Sequence, residues 1–307
     1  MGVATMHVLH GLQSSNPAFF LSQIENSRAN PAIEQILDSP AGVPYPMYVG
    51  NSGQQPEIAF DTMQLATLLA NVGQYGANLS AGQVKLFYRQ ATHLGSRAAV
   101  ASTVHSQLLA ENMWLGWTRI TAGHQQQARA TCRGLCAYDG VNSPIIPSGS
   151  VAAAGTSTAN EMFFAGPVSI NGSPLSGIQN WTLDLAVTFD IVGGESELYP
   201  SFISVKEIRP VFTFTSTEIS PLSTFGLTGA ALTSLTAYLR GGQNKSNYYS
   251  NASAQHISFV AAAGQVTVDE IASQGRNDGA RTQVRVACVG VDAVTNPLTI
   301  ATGQTIS

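Results

Sequence analysis

The chain has 307 residues, of which 44% are hydrophobic and only 10% are charged, and its formal net charge is −4 at pH 7. A chain of this length and apolar content can bury two ordinary domain cores, which excludes a disordered protein. Charged residues usually make up roughly a quarter of a soluble domain, so the low share indicates a surface that packs against other subunits, although an extracellular β-protein with a neutral polar surface has a similar composition.

Charge is unevenly spread along the chain. Residues 1–154 carry seven basic and seven acidic side chains, whereas residues 155–307 carry seven basic and eleven acidic ones. No run of lysine and arginine occurs, so tight binding to a phosphate backbone has no electrostatic basis. The amino terminus lacks a secretory signal pattern, and no apolar run approaches the roughly 18 residues that span a bilayer. We therefore expect a soluble protein made in the cytoplasm.

One helix is predicted among short strands in the first half. Four apolar residues form a single helical stripe, and Gly73 follows where the helix should end. The four are Leu65, Leu68, Leu69 and Val72. Residues 83–88 (Gln-Val-Lys-Leu-Phe-Tyr) are a strand candidate, whereas residues 30–37 (Asn-Pro-Ala-Ile-Glu-Gln-Ile-Leu) are more helix-like.

Alternating strands dominate the second half. Residues 181–192 alternate apolar and polar side chains over most of their length, which predicts one long half-buried strand. Further strands are predicted at residues 235–239, 256–260 and 281–288. A capping box at residues 215–218 (Thr-Ser-Thr-Glu) predicts a second helix, and Pro221 is tolerated only near its start, so this helix should be the shorter one. Most of the chain is thus predicted to be antiparallel β-structure.

The second half repeats the first with an offset of 154 residues. Residues 21–26 (Leu-Ser-Gln-Ile-Glu-Asn) return as residues 175–180 (Leu-Ser-Gly-Ile-Gln-Asn), and nine of 42 positions match between Leu21 and Thr62 and their partners. Random pairing would give about two or three matches at average residue frequencies. We interpret the chain as two similar domains in tandem, residues 1–155 and 156–307.

The two halves differ most in the middle. Residues 90–113 are alanine-rich and weakly helical, whereas residues 241–253 form a polar loop. A divergent insertion is a natural place for contacts with a partner, and a freely varying surface loop is an equal alternative. Residues 147–158, rich in Gly, Ser, Thr and Ala, are predicted to link the two domains.

No catalytic, cofactor-binding or metal site is predicted. Cys136 and Cys288 are equivalent in the repeat, which suits small buried residues, and Cys132 has no further metal ligand at a suitable spacing. The chain has no Gly-x-Ser-x-Gly, no His-Glu-x-x-His and no phosphate-binding loop, so an enzyme is the least favoured class. Three tryptophans are either core residues or an aromatic platform for a sugar. They are Trp114, Trp117 and Trp181.

Several motifs follow one another in the second half. They are Ile178-Gln-Asn-Trp-Thr, Tyr199-Pro-Ser-Phe-Ile, Pro210-x-x-x-Phe214-x-Ser216, Tyr238-Leu-Arg240 and His256-Ile-Ser-Phe. In this order, with a short helix between them, they resemble the major tail tube proteins of long-tailed, siphovirus-like bacteriophages. The likeness covers most of the second half and, more loosely, the first half.

The resemblance implies that each domain is a β-sandwich or barrel with one short flanking helix. Family members with two tandem domains form homotrimeric, pseudo-hexameric rings, which stack into a tube for DNA ejection. The resemblance therefore implies a structural protein of the virion tail, assembled in the bacterial host cytoplasm, without cofactors and without a membrane partner. Its partners would be its own copies and other tail proteins such as terminator, distal tail and tape measure proteins.

Two expectations about the surface follow from this likeness. DNA would pass without sequence-specific binding, and the acidic excess of residues 155–307 would suit a lumen that repels phosphate. The insertion at residues 90–113 would contact the next ring.

Two other binding or structural classes stay open. A double-sandwich capsid protein also builds pseudo-hexameric trimers, but the 95 residues from Pro56 to Ser150 include a helix and an insertion, which leaves little room for a jelly roll. A tandem carbohydrate-binding or adhesin module would use Trp114 or Trp117 on an exposed platform.

Overall fold

The structure is a computed structural model that describes residues 6–39, 41, 43–53, 55–79, 83–91, 96–155, 160–194, 197–226, 228–244, 246–272, 280–292 and 295–307. As predicted, the chain is mainly β, with two short helices in this described part. Neither of these helices has the length and apolar content to cross a membrane.

The first half contains twelve strands and one helix in its described residues. In chain order they are β1 (Met6–Ser15), β2 (Ala18–Leu21), β3 (Ile24–Asn30), β4 (Ile33–Asp38), β5 (Tyr48–Gly53), β6 (Glu57–Thr62), α1 (Leu65–Val72), β7 (Ala77–Asn78), β8 (Val84–Ala91), β9 (His105–Ala110), β10 (Met113–Gly123), β11 (Arg129–Cys136) and β12 (Ile146–Val151).

The second half follows with thirteen strands and one helix in the residues that the structure describes. They are β13 (Phe163–Ile170), β14 (Ser173–Leu175), β15 (Ile178–Asp184), β16 (Thr188–Val192), β17 (Phe202–Glu207), β18 (Val211–Ser216), α2 (Ser220–Phe225), β19 (Ala230–Leu232), β20 (Leu235–Asn244), β21 (Asn247–Tyr248), β22 (His256–Ala261), β23 (Gly264–Ala272), β24 (Arg281–Cys288) and β25 (Thr299–Gln304).

These strands form one long shared sheet and two smaller ones. The first half builds the sheet β12-β9-β8-β1-β2, and the second half builds β14-β13-β20-β22-β25, in which β21 also pairs with β20. The long sheet runs β19-β23-β24-β18-β15-β10-β11-β6-β3, with β7 also beside β10, so both halves contribute to it. Two hairpins, β4–β5 and β16–β17, stand outside these sheets.

The pairings within the two halves follow the same order. The pairs β1–β8, β8–β9, β9–β12 and β6–β11 of the first half correspond to β13–β20, β20–β22, β22–β25 and β18–β24 of the second. We call two residues counterparts when they occupy the same place in corresponding pairs. Ile120 and Ile271 are counterparts, because each lies two residues after a bulge in its pairing with β11 or β24.

The core lies between the long sheet and the two smaller sheets. Trp181 of the long sheet packs edge-on against Phe259 of a smaller sheet, with the ring centroids 5.4 Å apart. Phe212 and Phe214 stack 5.4 Å apart beside them. Because one face of the long sheet is covered in this way, its other face carries the polar side chains of the alternating strands.

Both predicted helices are present, but the capping box predicted at residues 215–218 is wrong, because residues 215 and 216 end β18 and α2 begins only at Ser220. All four stripe residues of α1 are buried, and Gly73 adopts a φ of 76° while its N–H donates to the Leu69 carbonyl at 3.0 Å. The carboxylate of Glu161 accepts the N–H groups of Ala66 and Thr67 at 2.6 and 3.0 Å, so a residue between the two halves caps this helix. The second helix is shorter, with six residues against eight, and Pro221 is its second residue.

The prediction of one strand over residues 181–192 is wrong in the middle. β15 ends at Asp184 and β16 begins at Thr188. The Asp184 carboxylate accepts the N–H of Ala186 at 2.9 Å, and Ala186 has a φ of 43°, which turns the chain out of the sheet. Apolar alternation continues through the turn because the hairpin that follows has its own buried face.

Three other local predictions are corrected. Residues 30–37 are not helix-like, because residues 33–38 form β4 and pair with β5 along its full length. The insertion at residues 90–113 contains no helix in its described part, which excludes residues 92–95. Its residues 105–110 instead form β9, between β8 and β12. The linker predicted at residues 147–158 begins later, because residues 146–151 form β12.

Candidate assembly interface

The three cysteines are buried, and their thiol pKa values are raised. Cys132, Cys136 and Cys288 are free thiols inside the core. Burial raises the pKa of Cys136 and of Cys288 to about 12, and it raises the pKa of Cys132 well above its usual value, so all three stay protonated at neutral pH. The described residues contain no group of three or more histidine, cysteine or acidic side chains that could hold a metal ion.

Two buried histidines, His105 and His256, hydrogen-bond to the backbone of the loops beside them. His256 accepts the N–H of Gly241 at its Nδ1 (3.0 Å), and its Nε2 lies 2.9 Å from the Ser250 carbonyl. His105 makes the same pair of contacts at the same place in the first half, with the Gln90 N–H at 3.2 Å and the Ala99 carbonyl at 2.8 Å. Each ring therefore bridges the connection between two neighbouring strands.

Replacing either histidine should cost stability. We expect His256→Ala to lower the free energy of unfolding by about 2–4 kcal/mol, because a buried N–H and a carbonyl lose their partner and a cavity remains. Urea denaturation of His256→Ala beside the exposed control His7→Ala measures the difference. A loss below about 0.5 kcal/mol would contradict the bridging role.

The three tryptophans do not form an exposed platform. Trp114, Trp117 and Trp181 are each at most 5% exposed. Trp117 and Trp181 lie in the shared core, and Trp114 belongs to a smaller apolar cluster with Leu135 and Ile203. The residues that would carry a sugar-binding function are thus used for packing.

Within the long sheet, the described strands of the two halves are joined by one pair, β10 and β15. Ile120 lies opposite Leu183, and both side chains are completely buried. One step along, Arg119 lies opposite Asp184, and the guanidinium donates to the carboxylate at 2.7 Å. This antiparallel pairing makes the long sheet continuous from one half into the other, and we call it the internal junction.

A hairpin reinforces the internal junction. The β16–β17 hairpin of the second half lies on β10 and β11 of the first, where Phe189 meets Trp114 edge-on with ring centroids 4.6 Å apart. The Arg133 guanidinium lies 5.8 Å from the centroid of the same Phe189 ring. The N–H of Tyr138 donates to the Pro200 carbonyl at 2.8 Å, so the turn of the hairpin is also anchored through the backbone.

At its two ends, the long sheet has strand edges that no described strand covers over their full length. On one side of β10, the short β7 covers the beginning and β15 covers the residues from Arg119 onward. On the same side of β23, β19 covers the beginning, but no described strand covers the residues after Val266. At the other end of the sheet, β3 pairs with β6 and has no second neighbour among the described strands.

Exposure differs sharply between counterparts at the junction and at the free ends. Ile120 is completely buried, whereas its counterpart Ile271 is 43% exposed. Tyr199, in the hairpin turn of the internal junction, is 7% exposed, whereas Tyr45 in the other hairpin turn is 64% exposed. The same position of the repeat is therefore covered at the internal junction and exposed at the free end of the sheet.

The face of the long sheet opposite the smaller sheets carries arginines, four of which pair with carboxylates, whereas Arg281 and Arg285 on β24 form no ion pair with a described residue. Glu57 accepts Arg28 at 2.6 Å and Arg133 at 2.8 Å, and the pairs Arg119–Asp184 and Arg129–Glu25 lie nearby. Most of these side chains are exposed, so each pair adds little stability. Their main effect is to neutralise cations on this face.

Sequence comparison finds no protein family and no curated protein that matches this chain. The interface geometry is therefore the basis on which a function can be assigned. Sequence reasoning did not identify β10, β11, the β4–β5 hairpin or the free edges. The repeat could have indicated the free edges. The strands that pair at the internal junction, β10 and β15, have counterparts in the other half, β23 and β3, and these lie at the ends of the long sheet.

Proposed function

We propose that this protein is a structural subunit that closes into rings of its own copies, and that these rings stack into the tail tube of a long-tailed bacteriophage. The two halves act as copies of one module, so three chains form a ring of six similar units. The single observation that carries this proposal is the pair of free ends on the long sheet, whose residues are the counterparts of the internal junction.

The internal junction predicts how the two ends meet. If β23 of one chain pairs with β3 of the next as β10 pairs with β15, then Ile271 lies opposite Ala29. Glu270 then lies opposite Asn30, diagonally across from Arg28 on the same face. Both ends are used once in each chain, so the pairing is head-to-tail and closes when the rotation per chain completes a circle. Closure also removes the exposed sheet edges that favour uncontrolled aggregation.

In the proposed ring, we place the channel on the polar face of the long sheet. The smaller sheets cover one face of the long sheet, so a ring with those sheets outside presents the opposite face to its lumen, a polar face on part of which the β16–β17 hairpin packs. Four arginines on that face pair with carboxylates, which lowers the number of free cations that duplex DNA can bind there to those of Arg281 and Arg285 among the described arginines of the sheet, and this suits passage without sequence-specific contact. The proposed place of action is the virion tail, with other tail proteins at the two ends of the tube.

Negative-stain electron microscopy of the purified protein tests the proposal. Rings with sixfold or pseudo-sixfold outlines, or tubes built from them, are the expected result. Closed shells would favour the double-sandwich capsid alternative. A population of monomers at all concentrations would overturn the assembly proposal and return attention to a binding module, although its tryptophans are buried.

Charge neutralisation on the proposed lumen face gives a separate prediction. Glu57→Gln removes the carboxylate shared by Arg28 and Arg133, so we expect assembled tubes of this variant to retain duplex DNA at low salt. Retention should fall steeply as salt increases. Gel-shift or co-sedimentation assays against the parent protein and Glu218→Gln, which lies just before α2, measure the effect. Equal DNA binding by all three proteins would count against this face as the lumen.

A further inference from the structure

The β4–β5 hairpin has many exposed apolar side chains and lies outside the sheets of its own chain. Its exposed apolar residues include Ile33, Ile36, Leu37, Tyr45, Met47, Tyr48 and Val49. Its strands pair in the same register as β16–β17, with Leu37 opposite Val49 where Ile191 lies opposite Ile203. Yet Ile203 is 8% exposed and Val49 is 59% exposed, because only β16–β17 has a surface to lie on.

The missing surface exists at the far end of the second half. Leu135 and Ala137, which receive β16–β17, have Ala287 and Val289 as counterparts, beside the beginning of β23 that β19 covers and from which the free edge continues after Val266. Val289 is 53% exposed. We propose that the β4–β5 hairpin is an arm that binds this surface on the adjacent copy of the same chain within one ring. This inference rests on the proposed ring.

The hairpin and the surface that would receive it differ from the internal junction in a matched way, and this points to a second copy of the chain as the partner of the hairpin. In the internal junction, the hairpin presents Phe189 to Trp114. Their counterparts are Gln35 and Gln265, so an aromatic pair is replaced by two amides that can hydrogen-bond to each other. Both glutamines are exposed in the single chain. A partner unrelated to this chain would not require such a matched exchange.

The backbone offers a second matched contact. Tyr138 donates its N–H to the Pro200 carbonyl, and the counterparts are Gly290 and Pro46. The arm is therefore expected to place the Pro46 carbonyl against the Gly290 N–H of the next copy. Tyr45 then lies over the same region, as Tyr199 does near Tyr138, where the ring centroids are 6.4 Å apart.

Crosslinking between two separately tagged chains tests the arm. One chain carries Gln35→Cys and the other Gln265→Cys, and the mixture is assembled and treated with a short bismaleimide. The native thiols are buried and protonated, so the introduced cysteines dominate the reaction. We expect a covalent two-chain product joined at positions 35 and 265. A mixture of Gln35→Cys with Val260→Cys, on the outer part of a smaller sheet, is the control and should give none.

The possible outcomes distinguish the arm contact from ring formation. Rings without the crosslink would overturn the arm and leave the proposed function standing. The crosslink without rings or tubes would support the arm and overturn the proposed function, and the absence of both would overturn both.

A charge exchange at the same two positions is a second measurement. Gln35→Glu combined with Gln265→Glu should raise the critical concentration of assembly roughly fivefold, because two like charges would meet. Gln35→Lys combined with Gln265→Glu should reverse that rise. Equal critical concentrations for the two combinations would contradict the contact.

Discussion

The variant Ile271→Asp is expected to remain folded but to lose assembly. Ile271 is 43% exposed in the single chain, so its replacement removes less packing from the folded monomer than replacement of a buried isoleucine would. Its counterpart Ile120 is completely buried in the internal junction, so assembly should bury Ile271 in the same way. Losing that burial costs about 1.5–3 kcal/mol per interface, and placing a carboxylate at the edge adds a desolvation penalty. A charge pointing into an edge is also a known barrier to strand pairing.

In measurable terms, the critical concentration of the Ile271→Asp variant should rise by at least about tenfold to a hundredfold, because each 1.4 kcal/mol is a factor of ten. Analytical ultracentrifugation or light scattering over a concentration series measures this change. The control is Ile219→Asp, which places the same charge at a residue that is 50% exposed just before α2, away from the sheet edge. Parent-like assembly of Ile271→Asp, or an equal loss in Ile219→Asp, would exclude the β23 edge as an interface.

The sequence predicted local patterns well where one periodicity dominated. The apolar stripe of α1 and the alternation of residues 281–288 could be recognised because each element buries one regular face. Sequence patterns were poor predictors of secondary structure where a turn or a neighbouring strand determines the conformation. Residues 30–37 contain no strong β pattern, and they form β4 because β5 pairs with them, which no local rule shows.

The candidate interface could be predicted only in outline. The repeat indicated that two similar units occur, and the low charge indicated that surfaces meet other surfaces. Which residues meet depends on a pairing between β10 and β15 that joins segments about 60 residues apart. Ile271 and Val289 look like ordinary strand and loop residues in the sequence. They gain significance only when their exposure is compared with that of their buried counterparts.

The second large effect is expected in the core beside the internal junction. Trp181 is 1% exposed and contacts Phe212, Phe214 and Phe259, so it connects the long sheet with the smaller sheet of the second half. We expect Trp181→Ala to lower the free energy of unfolding by about 3–5 kcal/mol, because a large cavity opens among packed aromatic rings. Such a loss is a large fraction of the free energy of unfolding of an ordinary domain, which is about 5–15 kcal/mol.

A conservative change at the same position distinguishes packing from hydrogen bonding. The indole Nε1 of Trp181 has no hydrogen-bond partner within the protein, so Trp181→Phe loses volume but removes an unpaired buried donor. We therefore expect Trp181→Phe to cost only about 1 kcal/mol, and Phe202→Ala, at an exposed residue of β17, to cost less than about 0.5 kcal/mol in the monomer. Urea unfolding followed by circular dichroism ranks the three variants. If Trp181→Phe proved as damaging as Trp181→Ala, the stability would depend on the indole nitrogen, and the packing account of this core would be wrong.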